Sequence, residues 1–199
     1  HNLIDDWPTL RALLYDILDA LAHAHARDVV HRDIKPENIL CQVRGRRIRF
    51  KLSDFGIAHG VRTEEASDTR SYEGASAGTP HYMPPEQLTG DWRDFGPWTD
   101  LYAVGCLLYE LACGQVPFHD DNFVRLANMH LSMPFPELEP RFEVPDKLDA
   151  FVRTLVAKKP RDRFRRAADA AFALSEIGGT PTGSTMTRPE VPDPVDVES

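Results

Sequence analysis

The 199-residue chain is 42% hydrophobic and carries a formal net charge of −8, so it is long enough to bury one sizeable core. The acidic balance argues against nucleic acid or an anionic membrane as a partner, because both attract basic surfaces. Three cysteines without a paired spacing argue against a disulfide framework or a zinc site and favour a reducing, cytoplasmic location. No apolar run approaches the ~20 residues of a membrane-spanning helix, so no membrane segment is expected.

Helical and strand-like patterns follow one another in the first part of the chain. Residues 8–27 carry leucine and isoleucine at three- and four-residue spacing, which predicts an amphipathic helix with Pro8 in its first turn. Short β-rich runs then predict small strands around a loop-borne site, at 29–30, 39–41 and 48–52. Residues 61–77 are polar and rich in hydroxyl groups, which predicts a long, mobile and functional segment.

The second half of the chain is predicted to be mainly helical. Residues 99–113 combine large apolar and small side chains with few charges, which predicts a buried helix at the centre of the core. Further helices are predicted at 122–129, 146–157 and 166–177. Residues 179–199 contain almost nothing to bury, so they are predicted to be a disordered tail or a linker.

Three motifs occur in a fixed order along the chain. Residues 31–38 read HRDIKPEN, residues 54–56 read DFG and residues 78–86 read GTPHYMPPE. In this order they resemble the catalytic loop, the magnesium triplet and the end of the activation segment of protein kinases. Asp33 and Asn38, each taken alone, are also typical of ordinary turns. The ordered set favours the kinase interpretation, and the resemblance covers most of the chain outside the tail.

The resemblance implies a fold that is mainly α with small β-hairpins. Residues 1–178 are similar to the large, C-terminal lobe of a eukaryotic-like, bacterial-type serine/threonine protein kinase. The family uses ATP and Mg²⁺ and phosphorylates a protein on a Ser or Thr hydroxyl. The 199 residues contain no Gly-x-Gly-x-x-Gly loop, so a small lobe from an upstream segment is an expected partner. The start at His1 suggests a piece of a longer protein, although a processed N-terminus would look the same.

The resemblance also implies a role for each site residue. Asp33 would orient the substrate hydroxyl and accept its proton, and Lys35 would steady the γ-phosphate. Asn38 and Asp54 would supply the hard oxygen ligands that suit Mg²⁺. Thr79 would bond to Asp33 and Lys35 when the activation segment is ordered. Lys35 and Thr79 together favour Ser/Thr over Tyr substrates.

Other residues match the internal scaffold of the family. By resemblance, His31 and Phe55 stack, and Asp100 hydrogen-bonds the backbone of the catalytic loop. Glu86 and Arg163 match a buried ion pair. Asp100 is also explained as a carboxylate that the dipole favours at a helix N-terminus, and both interpretations can hold at once.

Arg32 suggests how the activation segment is controlled. In this family an arginine before the catalytic Asp accompanies activation by phosphorylation, because a phosphate can bridge to the guanidinium group. Thr69, Ser71 and Ser76 are the nearest hydroxyl groups, and Thr69 or Ser71 is the hypothesised autophosphorylation site. Hydroxyl-rich loops are common, so an unmodified loop is the alternative.

Two departures from the family pattern bear on activity. Residues 156–159 imitate the ATP-binding lysine motif, but they end a helical pattern before Pro160 and are better explained as a helix terminus. The usual Ala-Pro-Glu is here Pro-Pro-Glu at 84–86, which stiffens the segment and keeps the glutamate. Without a small lobe, the isolated chain is expected to bind ATP weakly, to transfer phosphate negligibly and to expose apolar surface around Ile39 and Phe55.

Two other functions compete with the enzyme. A truncated pseudokinase that acts as a scaffold or regulatory binding module would explain a chain without a small lobe. A metal-dependent hydrolase could use Asp33 and Asp54 but leaves Lys35 unexplained. A scaffold has no chemical need for Asp33, Lys35, Asn38 and Asp54 together, which favours the kinase.

Overall fold

The computed structural model describes residues 4–44, 47–55 and 80–178, and these ranges are mainly helical with one two-stranded antiparallel sheet. This confirms the predicted mainly α character with a small hairpin. The helices and strands in chain order are α1 (Trp7–His25), β1 (Ile39–Arg44), β2 (Arg47–Leu52), α2 (Pro85–Thr89), α3 (Pro97–Cys113), α4 (Phe123–Ser132), α5 (Leu148–Leu155) and α6 (Ala167–Ser175). Short 3-10 turns lie at Pro36–Asn38, Pro80–Tyr82, Trp92–Asp94 and Pro160–Asp162.

Helix α1 forms because its cap and its apolar stripe agree. The Asp6 carboxylate accepts a hydrogen bond from Thr9 N at 2.7 Å, and Pro8 lies in the first turn as predicted. The buried stripe then packs against α3, α6 and β2. Its members are Trp7, Leu10, Leu13, Leu14, Ile17, Leu18 and Leu21.

Helix α3 is the centre of the core, as predicted, and residues 99–109 are all buried. It starts two residues earlier than expected, because Pro97 suits the first turn and Thr99 Oγ1 accepts a hydrogen bond from Gly96 N at 3.1 Å. Gly105 allows α5 to approach closely, since a Cβ there would lie 2.5 Å from Val156 Cγ1. Helix α3 therefore sets the position of Asp100 in its first turn, and it also provides the surface on which α5 packs.

The hairpin is attached to α1. Its register pairs Ile39 with Leu52. The Asp16 carboxylate of α1 accepts hydrogen bonds from Phe50 N at 2.8 Å and from Arg49 Nε at 3.1 Å. Phe50 is buried in the core, whereas Leu40 on the opposite face is exposed. The strand register and the hydrogen bond from Ser53 N to Asn38 O place residues 38 and 53, just outside the two strands, beside each other.

The structure corrects one of the three strand predictions and lengthens the other two, to Ile39–Arg44 and Arg47–Leu52. Residues 29–30 form no strand in the described part of the chain, because Val29 N donates to Ala24 O at 3.1 Å and closes α1 instead. The sequence did not predict α2, a helix of five residues. The predicted mobile segment at 61–77 and the predicted tail at 179–199 lie outside the described residues. Among the residues that the structure describes, no helix is both long and apolar enough to cross a membrane.

Candidate active site

The loop at residues 31–38 is held by Asp100 of α3. Asp100 Oδ2 accepts a hydrogen bond from His31 N at 2.9 Å, and Oδ1 accepts one from Arg32 N at 2.8 Å. The carboxylate is buried, and it lies in the first turn of α3, where the helix dipole favours a negative charge. Both interpretations of Asp100 therefore hold, and the predicted contact with the loop backbone is confirmed.

His31 joins the loop to the end of β2. Its buried ring donates from Nε2 to Ser53 O at 2.7 Å, and Nδ1 accepts from Asp33 N at 3.3 Å. Because a carbonyl only accepts and an amide only donates, these partners require the neutral tautomer with the proton on Nε2. The ring also contacts Phe55, with centroids 4.7 Å apart and planes tilted by 57°. The predicted pairing of His31 with Phe55 is thus present, in a tilted arrangement.

Two of the predicted site residues, Lys35 and Asn38, both contact a third, Asp33. Lys35 Nζ is 2.7 Å from Asp33 Oδ2. Asn38 Nδ2 donates to Asp33 O at 2.7 Å and to Asp33 Oδ2 at 3.0 Å. The 3-10 turn at Pro36–Asn38 produces this contact, since it folds the buried Asn38 back towards the start of the loop. The result is a carboxylate that is oriented from two sides and partly exposed.

Asp54 follows β2 and is connected to this group by Ser53. Ser53 N donates to Asn38 O at 2.9 Å. Ser53 Oγ lies 3.1 Å from Asn38 O and 3.3 Å from Asp54 Oδ2. The exposed Asp54 side chain thus stands next to the loop that carries Asp33 and Lys35. Thr79, the remaining predicted site residue, lies outside the described residues.

The backbone is strained at two positions of this site. Arg32 has a φ of 66° and Asp54 a φ of 57°, in the left-handed region that non-glycine residues rarely adopt. Such a conformation costs about 1–3 kcal/mol and persists only where the surroundings enforce it. For Arg32 the surroundings include Asp100 and Gln87, whose Nε2 donates to Arg32 O at 3.2 Å. Strain of this kind clusters at functional sites.

The oxygen atoms of the site fit a hard divalent cation. Asn38 uses its amide nitrogen on Asp33, which leaves Oδ1 as the side-chain atom for a cation, and Asp54 adds a carboxylate. The described ranges contain no cluster of three His, Cys, Asp or Glu that could hold a metal. An ion here would take two protein oxygens and complete its shell with water and phosphate oxygens, as Mg²⁺ commonly does.

A buried ion pair anchors the segment that follows residue 80. Arg163 Nη1 donates to Glu86 Oε1 at 2.7 Å and Nη2 to Glu86 Oε2 at 2.9 Å, and both side chains are almost fully buried. Arg163 also donates to three backbone carbonyls and lies over the Tyr102 ring. The predicted pair between Glu86 and Arg163 is confirmed, and it ties α2 to the chain before α6.

A second polar contact holds the turn at Pro80–Tyr82. Tyr82 donates its hydroxyl to Glu110 Oε2 at 2.6 Å. Burial and this hydrogen bond raise the pKa of Tyr82 well above its usual value, so the hydroxyl stays protonated. The turn is therefore fixed on α3 just after the predicted Thr79 position.

Sequence reasoning missed three residues of the site. Ser53 bridges the two loops, Gln87 supports Arg32, and His25 Nε2 lies 2.8 Å from Asp100 Oδ2. Only His25 had a signal in the sequence. It stands four residues after Leu21 on the apolar face of α1, where the spacing calls for a hydrophobic side chain.

Comparison with known proteins agrees with this geometry. Residues 3–172 match the protein kinase domain family. The chain is 35% identical to serine/threonine-protein kinase pkn3 of Myxococcus xanthus, with 82% of the chain and 31% of that protein aligned. It is 37% identical to serine/threonine-protein kinase PknH of Mycobacterium tuberculosis (87% and 26% aligned) and 36% identical to PrkC of Bacillus subtilis (79% and 23%). The chain thus spans about a quarter to a third of the length of these relatives. It belongs to the protein kinase domain family, and these similar proteins are bacterial serine/threonine-protein kinases.

Proposed function

We propose that this chain is the catalytic region of a serine/threonine protein kinase, which transfers the γ-phosphoryl group of ATP to a protein hydroxyl. The observation that carries the proposal is the Asp33 carboxylate, held 2.7 Å from Lys35 Nζ and 3.0 Å from Asn38 Nδ2. A base, an ammonium group and oxygen ligands in one place are what phosphoryl transfer to a hydroxyl requires. The names of the bacterial relatives support the same activity.

In the proposed reaction each residue acts on a particular atom. Asp33 orients the substrate hydroxyl and receives its proton as the oxygen–phosphorus bond forms and the bond from phosphorus to the β-phosphate oxygen breaks. Lys35 binds the γ-phosphate and limits charge build-up as ADP leaves. Asn38 and Asp54 would hold a Mg²⁺ ion, which when bound would neutralise phosphate charge. Because Asn38 and Lys35 both contact Asp33, the base and the phosphate-binding groups stay aligned.

The activation segment completes the proposal. Thr79 would bond to Asp33 and Lys35 when the segment is ordered, and a phosphate on Thr69 or Ser71 would pair with Arg32. Within the described residues, Arg32 Nε is buried and has no hydrogen-bond partner, which supports a role in binding an acceptor group. Phosphopeptide mapping of an active enzyme tests the second point, and an unmodified loop would count against it.

We further propose the domain arrangement inferred from the sequence. Residues 1–178 form the large lobe of the kinase, and 179–199 form a tail or linker. A small lobe, as an upstream segment or partner, supplies the remaining half of the ATP site. The free cysteines Cys41, Cys106 and Cys113 support a cytoplasmic setting.

The alternative is a binding module related to pseudokinases. It is favoured by the absence of a Gly-x-Gly-x-x-Gly loop from the 199 residues and by two exposed apolar side chains of the hairpin, Leu40 (55% exposed) and Val43 (62% exposed). Such a module would bind a partner without using Asp33. Reading the coding sequence upstream of His1 for a Gly-rich loop and a strand lysine is the quickest way to distinguish the two.

A phosphotransfer assay tests the proposed function. We expect the purified 199-residue chain alone to bind Mg-ATP weakly and to turn over negligibly. Supplied with a kinase small lobe, it should phosphorylate Ser or Thr peptides, and Asp33→Asn should lower that rate by about 10²- to 10⁴-fold. Asp91→Asn, at an exposed loop position, is the control. Equal rates for Asp33→Asn and Asp91→Asn would contradict the kinase and favour the binding module.

A further inference from the structure

The outer edge of strand β1 is free. Ser53 N donates to Asn38 O at 2.9 Å, so in this antiparallel register the even-numbered residues of β1 exchange backbone hydrogen bonds with β2. The N–H and C=O groups of Cys41 and Val43 then point away from β2, and no backbone group in the described part of the chain pairs with them. Strand β1 therefore offers both donors and both acceptors to an added strand.

The opposite edge of the hairpin is closed. Asp16 of α1 accepts the hydrogen bond from Phe50 N at 2.8 Å, and α1 packs along β2. Strand β1 has no comparable cover, because β2 alone packs extensively against it among the described helices and strands. The side chain of Cys41 is exposed, and that of Val43 is 62% exposed. An unpaired and uncovered edge of this kind is a template for another strand.

The two faces of the hairpin differ in character. Val43 and its cross-strand neighbour Ile48 lie on the apolar face, and Ile48 is 36% exposed. The other face carries two exposed cations, Arg49 and Lys51. Arg49 pairs with Asp16, whereas Lys51 has no anionic partner among the described residues. A strand added to β1 would therefore meet apolar side chains on one face and positive charge on the other.

We propose that residues 195–199 of this chain add to the free edge of β1 as a third strand. Their sequence is VDVES, in which valine alternates with a carboxylate. This alternation has the two-residue period of a strand with one apolar and one acidic face. With the valines beside Cys41 and Val43, the carboxylates lie on the face that carries Lys51. Pro194 limits the added strand to these residues, because proline cannot donate to a ladder.

Charge and chain length both favour this occupant. Residues 44–51 contain five basic residues and no acidic one, whereas residues 190–198 contain four acidic residues and no basic one. A nucleic acid or an anionic membrane would have to approach against the net charge of −8, whereas the tail is already tethered to the molecule. Helix α6 and β2 both pack on α1, which is about 28 Å long. Residues 179–194 can extend to about 50 Å, so the segment reaches the hairpin.

Disulfide trapping in the full 199-residue chain tests the alternation, and it requires no kinase activity. The background is Cys113→Ser, in which Cys41 is the exposed thiol and Cys106 is buried. Four single substitutions are then compared under mild oxidation with oxidised glutathione: Val195→Cys, Asp196→Cys, Val197→Cys and Glu198→Cys. Residues paired across two strands lie about 5.5 Å apart on one face, within the range of a disulfide, whereas their sequence neighbours point to the opposite face.

The expected pattern of trapping alternates along the segment. A cysteine at 195 or 197 should form the disulfide with Cys41 at least about tenfold faster than a cysteine at 196 or 198, and within one chain. Equal rates at all four positions would overturn the inference, because a tail that only collides with the hairpin shows no alternation. A covalent dimer in place of the internal disulfide would also overturn it, in favour of a second copy as the occupant.

Hydrogen exchange gives a second measurement that needs no engineered cysteine. In the original chain the Cys41 and Val43 amides should be at least about tenfold more protected than in a chain that carries both Val195→Asp and Val197→Asp. The matched control is Val191→Asp, which lies before Pro194 and should change the same two amides less than about threefold. Equal protection in all three chains would contradict the added strand. The inference does not depend on the proposed function, so the phosphotransfer assay decides that question separately.

Discussion

The buried pair of Glu86 and Arg163 should make an unequal contribution to stability, depending on which partner is removed. In Arg163→Met the Glu86 carboxylate loses both of its hydrogen-bond donors, and three backbone carbonyls lose theirs. In Glu86→Gln the guanidinium keeps those three carbonyls and one amide oxygen. Truncating one partner of a buried ion pair costs about 3–5 kcal/mol. We therefore expect Arg163→Met at or above the upper end of this range and Glu86→Gln at the lower end.

Urea unfolding followed by circular dichroism gives the free energies, by linear extrapolation. For a chain of this size a loss of 1 kcal/mol lowers Tm by about 2–4 °C, so a loss of about 5 kcal/mol in Arg163→Met should lower Tm by about 10–20 °C. The control is Arg153→Met, which removes an exposed ion pair with Asp149 and should cost no more than about 1 kcal/mol. If Arg163→Met and Arg153→Met unfold together, or if Glu86→Gln is the more damaging change, the reasoning from buried hydrogen bonds is wrong.

Three further predictions concern pH and packing. Burial, followed by the charges of Lys158 and His81, lowers the pKa of His130 to about 3. Below about pH 6.5 the unfolded chain therefore binds a proton at this residue that the folded chain does not bind. The free energy of unfolding should fall on acidification from pH 7 to 5, and it should fall less in His130→Gln. Burial, with the charge of Arg163 adding to it, lowers the pKa of Lys158 to about 8. As pH rises from about 8 to 10, the original chain should therefore gain about 1 kcal/mol of stability over Lys158→Met, after solvent screening. A difference in unfolding free energy between the two chains that does not change with pH would contradict this. Gly105→Ala should destabilise by about 1–3 kcal/mol through contact with Val156, and Val156→Ala in the same chain should recover part of that loss.

Sequence reasoning reached the long elements because their apolar spacing is strong. Helices α1 and α3 were predicted close to their observed bounds, since leucines at three- and four-residue spacing leave few alternatives. Helix α2 was missed because five residues carry no periodicity. Its Glu86 is held by Arg163, 77 positions later. The strand predicted at residues 29–30 was wrong because β-branched side chains favour a strand only where a neighbouring strand pairs with them. Here Val29 N instead donates a hydrogen bond to the end of α1.

The identity of the candidate site residues came from the order of motifs, but their geometry did not. The sequence of residues 31–38 does not predict that Asn38 donates two hydrogen bonds to Asp33, because that contact depends on how the 3-10 turn closes. For His25 the sequence carried a signal but did not identify the partner. A single polar residue on an apolar helix face points to a buried partner, but only the fold shows that the partner is Asp100.

The bonds made by His31 mean that the Asp54 side and the Asp33 side of the candidate site cannot change independently. One ring contacts the carbonyl of Ser53 and the amide of Asp33, so a displacement at the end of β2 is transmitted to the loop across a single side chain. Substitutions at Asp33 and Asp54 should therefore show non-additive effects on ligand binding. Under the proposed function, a substitution that changes the cation preference at Asp54 would therefore also alter the orientation of Asp33.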